Sequence, residues 1–379
     1  MTKLLIKNGD AVFPEFDETK RADVLTENGT IKAIGTQIEE PTDQVIDASD
    51  CYVSPGFIDM QVNGGAGVDL LQTDAEGLKR FADLWVSTGA TGYLGTVITE
   101  PITNMRNAVE LLANADLPGL WGVHVEGPFL SREKRGTHNP EHLRSPTLER
   151  FQRLTSGLEE TIKLFTFAPE LEGGEEILNR LLEVGIVPSL GHTNASYQEA
   201  LEAIGSGASC LTHLFNGMST FHHRSPGCVG AAFDSSAYVG LISDGRHVHP
   251  TGLRMARKLK GKDRICLVTD AIAAAGMDDG EYDLGDQKII VTDGLAKLPT
   301  GTLAGSTLTM NRAVANFREF TGAGLPEAVR MASLNPATML GLEDRKGSLA
   351  AGKDADLVVF TEELEVTHAI IEGELVYST

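Results

Sequence analysis

The chain has 379 residues, 41% of them hydrophobic and 22% charged, enough to bury one large barrel core plus a smaller unit, or two to three domains. Asp and Glu exceed Lys and Arg by 53 − 32 = 21, which argues against nucleic acid or an anionic membrane surface as the main partner and leaves a small anionic ligand open. The opening M-T-K-L-L-I-K-N-G-D is too short an apolar stretch for a signal peptide, no run approaches membrane-spanning length, and Cys51, Cys210, Cys228 and Cys266 form no C-x-x-C pair, so a soluble, cytoplasmic protein with reduced thiols is expected.

Residues 1–53 read as β structure. Strand-like runs such as Leu4–Lys7 and Ile31–Ile34 are broken by Asn8-Gly9 and Asn28-Gly29, both hairpin signals. Residues 346–379 return to that texture in A-D-L-V-V-F and T-H-A-I-I-E-G-E-L-V-Y, which predicts one small discontinuous β-sandwich domain built from both ends. Residues 54–345 alternate strand and helix. Eight apolar runs begin near Gly56, Thr91, Leu120, Ile162, Val187, Cys210, Val239 and Ile265, with amphipathic stretches between them. One such stretch carries the stripe Ile177, Leu178, Leu181 and Leu182 beside Glu175, Glu176 and Arg180. Eight βα units predict a closed (β/α)₈ barrel of the α/β class. The alternative, an open doubly wound sheet, lacks a G-x-G-x-x-G after its first strand. Two stretches interrupt the rhythm: a polar loop over 130–146, placed to cover a site, and a Gly-rich hairpin insertion over 277–305.

Four of the apolar runs end on a residue that binds metals or moves protons: Glu126 in H-V-E-G-P, His192 in L-G-H-T, His213 in L-T-H-L and Asp270 in V-T-D-A. A parallel barrel presents its reactive groups at such strand ends. Glu126, His192 and His213 supply an O, N, N set that leaves a position on a divalent ion free for water. Water on such an ion ionises near neutral pH, and Asp270 is placed to accept its proton and later return it to a leaving group. His124 shares a strand face with Glu126 and reads as a packed residue deeper in the barrel. Nine of the ten histidines fall between His124 and His249. His138 in G-T-H-N-P and His247 in S-D-G-R-H are each placed to polarise a carbonyl or bond a hydroxyl. The stretch F-N-G-M-S-T-F-H-H-R-S-P-G sets Asn216 and Gly217 ahead of His222, His223 and Arg224. It reads as an anion clamp, with a solvated basic loop as the plain alternative.

Together with S-P-G-F-I-D-M-Q-V-N-G-G, T-L-A-G-S-T-L-T-M and L-A-A-G-K-D-A-D-L, these motifs resemble the N-acetylglucosamine-6-phosphate deacetylases of the amidohydrolase superfamily, over nearly the whole chain. The resemblance implies hydrolysis of the acetamide of N-acetylglucosamine 6-phosphate to glucosamine 6-phosphate and acetate. It implies Glu126, His192 and His213 as metal ligands, Asp270 as general acid/base and His138 as the group that polarises the acetyl carbonyl. It implies substrate contacts from Gln61, Asn63, Thr137, Asn216, Gly217, Arg224, His247, Leu303, Ala304 and Gly305, and a homodimer in which Arg224 reaches the neighbouring site. Gly217 stands where Ala is usual, a change that a backbone contact survives. Most of the superfamily opens strand one with H-x-H, which holds a second metal. Here Gln61-Val62-Asn63 stands in that place, and no lysine ends strand four, Lys163 lying at its other end. One ion per subunit is therefore expected, zinc first, with iron, cobalt or manganese able to use the same set. The missing H-x-H argues against a cyclic amidase or deaminase, and the intact Glu-His-His-Asp set argues against a non-catalytic scaffold.

Overall fold

The computed structural model of the protein describes residues 3–379. Eight parallel strands, β1 (Phe57–Val62), β2 (Ala90–Val97), β3 (Leu120–Glu126), β4 (Ile162–Phe167), β5 (Val187–Leu190), β6 (Cys210–Leu211), β7 (Tyr238–Ile242) and β8 (Ile265–Val268), pair in chain order. Each begins within one residue of its apolar run. Every residue of β1 and β2 is buried, as expected for strands covered on both faces. The ring closes between β8 and β1 through Asp270 N–H to Gln61 O (2.8 Å) and Asn63 N–H to Ala271 O (2.7 Å). Below these, buried Asp59 accepts from Thr269 Oγ1 at 2.6 Å and ties the same two strands together. Most helices between strands bury one stripe, although Gly227–Phe233 is buried nearly all round. In Gly174–Glu183 that stripe is Ile177, Leu178 and Leu181, whereas Leu182 lies at its edge, 41% exposed, against Gly207.

Both chain ends build one eight-stranded sheet, in the order Glu374–Ser378, Val366–Ile371, Leu357–Phe360, Tyr52–Pro55, Lys3–Phe13, Glu18–Glu27 and Thr30–Gly35, with Gln44–Asp47 also paired to Lys3–Phe13. It has its own apolar core, including Leu4, Ile6, Val24, Val53, Leu357 and Ile370. Asn28-Gly29 is a hairpin turn as expected, both residues having positive φ. Asn8-Gly9 is not. It forms a bulge inside Lys3–Phe13, with Asn8 at φ 61° and its N–H bonded to Asp23 Oδ1 (3.0 Å). A Cβ on Gly9 would lie 2.5 Å from Val53 Cγ2, so close strand packing, not a turn, requires that glycine.

The insertion after β8 is a three-stranded antiparallel meander, Gly280–Leu284, Gln287–Thr292 and Leu295–Lys297, where a single hairpin was expected. Its second turn is Asp293-Gly294, both at positive φ, a signal already present in V-T-D-G-L. Among the described residues no helix is long and apolar enough to cross a membrane. All four cysteines are free, and Cys210, Cys228 and Cys266 are buried.

Lys346 joins the two units. Its ammonium, 9% exposed, lies 2.6 Å from Asp356 Oδ2 and 2.8 Å from Asp354 Oδ2, and 5.2 Å from the ring of Trp121 in β3. Lys346→Ala leaves the buried Asp356 carboxylate without its cation, whereas Asp354 keeps Arg345 Nη2 at 2.7 Å, and the change is expected to cost about 3–5 kcal/mol. Urea unfolding should show a lower midpoint for Lys346→Ala and a smaller drop for Lys346→Arg.

Candidate active site

Glu126 is the last residue of β3, and His192, His213 and Asp270 each follow their strand by two residues. His192, His213 and Asp270 all adopt left-handed backbone, with φ of 46°, 33° and 50°. Such residues cost about 1–3 kcal/mol each unless the surroundings hold them. Here the backbone is clamped: His192 O accepts from Ser131 N–H (2.8 Å), His213 O from Asn216 N–H (3.0 Å) and Asp270 O from Ser306 N–H (2.8 Å). The abrupt turn brings each side chain over the barrel mouth.

Three ligand-type atoms meet there. His213 Nε2 lies 3.0 Å from Glu126 Oε1 and 3.1 Å from His192 Nε2, and His192 Nε2 lies 3.3 Å from Glu126 Oε1. His192 Nδ1 donates to Lys134 O at 2.8 Å, so its proton is on that side and Nε2 offers a lone pair to the cluster. Ligand atoms about 2.0–2.1 Å from a tetrahedral ion are separated by about 3.3 Å. The three observed separations are close to that value, and the donor set fits a divalent cation. Burial alone would raise the Glu126 carboxyl, but the hydrogen bonds and charge of His192 and His213 hold it well below its ordinary value.

Asp270 faces this cluster. Asn63 Nδ2 donates to its Oδ1 at 2.8 Å and Gln61 Nε2 at 3.2 Å, while Gln61 Nε2 also lies 3.3 Å from Glu126 Oε1. Burial, and then the Glu126 charge, raise the Asp270 carboxyl above its ordinary range. Where an H-x-H pair would present lone pairs, this chain presents amide N–H groups committed to carboxylates. His138 Nδ1 accepts from Thr99 N–H at 3.3 Å, which leaves its proton on Nε2, 3.2 Å from His192 Nε2. Burial, then neighbouring His192, push His138 down to about 3, so it is a neutral imidazole with an N–H aimed into the site.

These groups line a cavity of about 270 Å³ together with Asn63, Thr137, Asn216, Gly217, His247, Leu303 and Gly305. Gly217, at φ 58°, has no room for a side chain, since a Cβ would lie 2.8 Å from His192 Nδ1. Three expected contacts are not brought to the cavity. Gln61 lies behind Asp270 and Glu126, its amide used up on them. Ala304 is fully buried, with its N–H on Ala296 O. Arg224 is exposed on its loop, with Nη1 2.7 Å from His223 Nε2, and His222 and His223 are exposed beside it. His124 lies deeper in the barrel, bonded to Thr166 Oγ1 at 2.7 Å and pushed down to about 4 by burial. Lys163 is exposed near the start of β4.

Sequence reading missed Ile98, Gly136, Leu284 and Thr302 in the lining. It also missed Asp244, whose Oδ2 holds His247 Nδ1 at 2.6 Å and directs the other ring nitrogen away from it. The i, i+3 spacing in S-D-G-R-H was a usable signal for Asp244. Nothing local marks Leu284, which arrives from the inserted meander.

The amidohydrolase family model matches residues 52–376. The N-acetylglucosamine-6-phosphate deacetylase of Bos taurus is 41% identical over 88% of this chain and 86% of the bovine protein. An N-acetylgalactosamine-6-phosphate deacetylase of Escherichia coli O157:H7 is 37% identical over 85% of this chain and 86% of that protein. The crystal structure of N-acetylglucosamine-6-phosphate deacetylase from Pasteurella multocida superposes with a TM-score of 0.93 at 33% identity, covering 100% of both chains. With the family model spanning residues 52–376 and relatives matched at this identity over most of their length, the chain belongs to the amidohydrolase family, among its N-acetylglucosamine-6-phosphate deacetylases.

Proposed function

We propose that this protein hydrolyses N-acetylglucosamine 6-phosphate to glucosamine 6-phosphate and acetate, a step in amino-sugar recycling in the cytoplasm. The observation that carries this reading is the convergence of Glu126, His192, His213, Asp270 and the Nε2–H of His138 on one small cavity. Residues 54–345 form the catalytic barrel in this reading, and 1–53 with 346–379 the accessory β unit.

Glu126, His192 and His213 would hold one divalent ion, zinc by preference. When bound, the ion acts as a Lewis acid that brings the ionisation of water near neutral pH. Asp270, fixed by the Asn63 and Gln61 amides, takes the proton from the attacking water. The Nε2–H of His138 donates to the acetyl oxygen as charge builds on it, a role for which a neutral imidazole with a fixed tautomer is suited. As the C–N bond breaks, Asp270 passes its proton to the amine nitrogen, and acetate leaves. Asn216, Gly217 and His247 orient the sugar, and Thr137, Leu303 and Gly305 complete the cavity wall.

The lining contains no Lys or Arg among the described residues, and the chain carries a net charge of −21. A dianionic phosphate needs a cation from elsewhere. Arg224, exposed on the loop after β6 together with Phe221, would supply it to the neighbouring subunit of a homodimer.

The deciding assay measures acetate release from N-acetylglucosamine 6-phosphate, its unphosphorylated form and N-acetylgalactosamine 6-phosphate, with elemental analysis of the same preparation. The 6-phosphate of N-acetylglucosamine should be the best substrate, with about one divalent ion per chain. Preference for the galactosamine epimer would reassign the substrate, and two firmly held ions would end the single-metal reading.

Asp270→Asn should keep fold and metal while lowering kcat by at least ~10²-fold. It should also lose the acid limb of the pH–rate profile, because only ionised Asp270 accepts the proton. Full activity in that variant would move the proton-transfer role elsewhere.

Arg224→Ala should lower kcat/KM for the phosphorylated sugar by roughly 10- to 150-fold, the range of a charge-assisted contact. Activity on unphosphorylated N-acetylglucosamine should barely change. Equal losses on both substrates would make Arg224 a purely structural residue.

A further inference from the structure

We propose that Leu284, seated against Ile98 by the inserted meander, sets the size of the acyl group that the site accepts. The proposal rests on the deacetylase reading and deepens it. Ten of the sixteen residues that line the cavity carry polar side chains. Ile98, Leu284 and Leu303 are its aliphatic side chains, and Ile98 and Leu284 are 8% and 4% exposed.

The two are neighbours because of the turn that follows Leu284. Gly285 has φ 58°, and a Cβ there would lie 2.8 Å from Glu100 Oε1, 3.3 Å from Leu71 Cδ2 and 3.4 Å from Ile98 Cδ1. The turn is thus pressed onto Ile98, with no space for a larger residue. It is also pinned. Gly285 N–H donates to Asp69 Oδ2 at 2.7 Å, and Asp286 N–H donates to Glu100 Oε1 at 3.0 Å. The Asp286 side chain in turn accepts from Asn139 Nδ2 at 2.6 Å and lies 3.1 Å from His142 Nε2. Asp69 and Glu100 are 8% and 4% exposed, so these anchors are buried.

Residues 98, 99 and 100 act as one unit. Ile98 is wall, Thr99 N–H fixes His138, and Glu100 anchors the meander. Ile98 and His138 line the same small cavity, so the carbonyl that the Nε2–H of His138 polarises shares it with this apolar wall. One substituent of that carbonyl is the sugar nitrogen, which leads toward the polar side of the cavity. The other is the acyl methyl, the one wholly apolar end of the substrate, and the Ile98–Leu284 surface is its chemical match. A wall fixed from four directions cannot retreat, so each added methylene must overlap it.

The test compares kcat/KM for the N-formyl, N-acetyl, N-propionyl and N-butyryl derivatives of glucosamine 6-phosphate, read as released amine, in the wild-type protein and in variants. One methylene in a hydrophobic pocket changes kcat/KM by about 10- to 200-fold. The propionyl-to-acetyl ratio should rise by about 10-fold or more in Leu284→Ala and in Ile98→Ala. In Leu284→Phe the formyl-to-acetyl ratio should rise instead. A merely structural role would lower all substrates together and would not give ratios of opposite sense. Leu284→Val and Ile98→Val give the same ratio at smaller amplitude if the alanine variants do not fold. Unchanged ratios across the series, with acetyl turnover present, overturn the proposal. Absence of acetyl turnover in the wild-type protein would count against the deacetylase reading instead.

Discussion

The Glu126 carboxylate is the constraint from which the site follows. It is 3% exposed at the centre of a barrel mouth, and a lone carboxylate in that position would be costly. Its Oε1 is approached by His213, His192 and the Gln61 amide, and no lysine or arginine lines the cavity among the described residues. A buried anion beside the His192 Nε2 lone pair and His213 Nε2 is a donor set that suits a cation between them. Burial, and then this negative charge, raise the Asp270 carboxyl and favour a proton there, which suits the proton-transfer role proposed for it.

Holding that arrangement costs backbone strain. Three left-handed residues at three strand ends bring His192, His213 and Asp270 inward; the His192 and Asp270 carbonyls are tied by N–H groups of other segments and that of His213 by Asn216 in its own turn. Ser131, in the polar loop, secures His192 through its backbone while Lys134 O sets the tautomer of the same ring. The loop that carries His138 is thus part of the cluster's support. The inserted meander meets this loop at Asp286, so two departures from the regular βα repeat brace each other above the barrel.

The cavity gathers His138, Glu126 and Asp270, and among the described residues no Lys or Arg lines it. Arg224 and Phe221 are exposed on a loop away from the cavity, as the homodimer proposed above requires. In that arrangement long-range charge repels anions, and one local guanidinium per site would select those that carry phosphate.

The eight barrel strands were legible because each is a short, largely buried apolar run, so local hydrophobicity and position coincide. Glu126, His192, His213 and Asp270 were legible because a strand end is a place defined within the chain itself. The Asn8-Gly9 bulge was not, since Asn-Gly serves a turn and a bulge alike and only the packing of Gly9 on Val53 decides between them. Nor was the placement of Gln61, whose amide is consumed by two carboxylates 65 and 209 residues away. Leu284 and Ile98, 186 positions apart, meet only when the meander folds back over the second barrel strand. Sequence by itself determined which strands form and which reactive residues they end on, because period and burial are local properties. Tertiary structure alone decided tautomers, amide orientation and the apolar wall, because each depends on a partner brought from far along the chain.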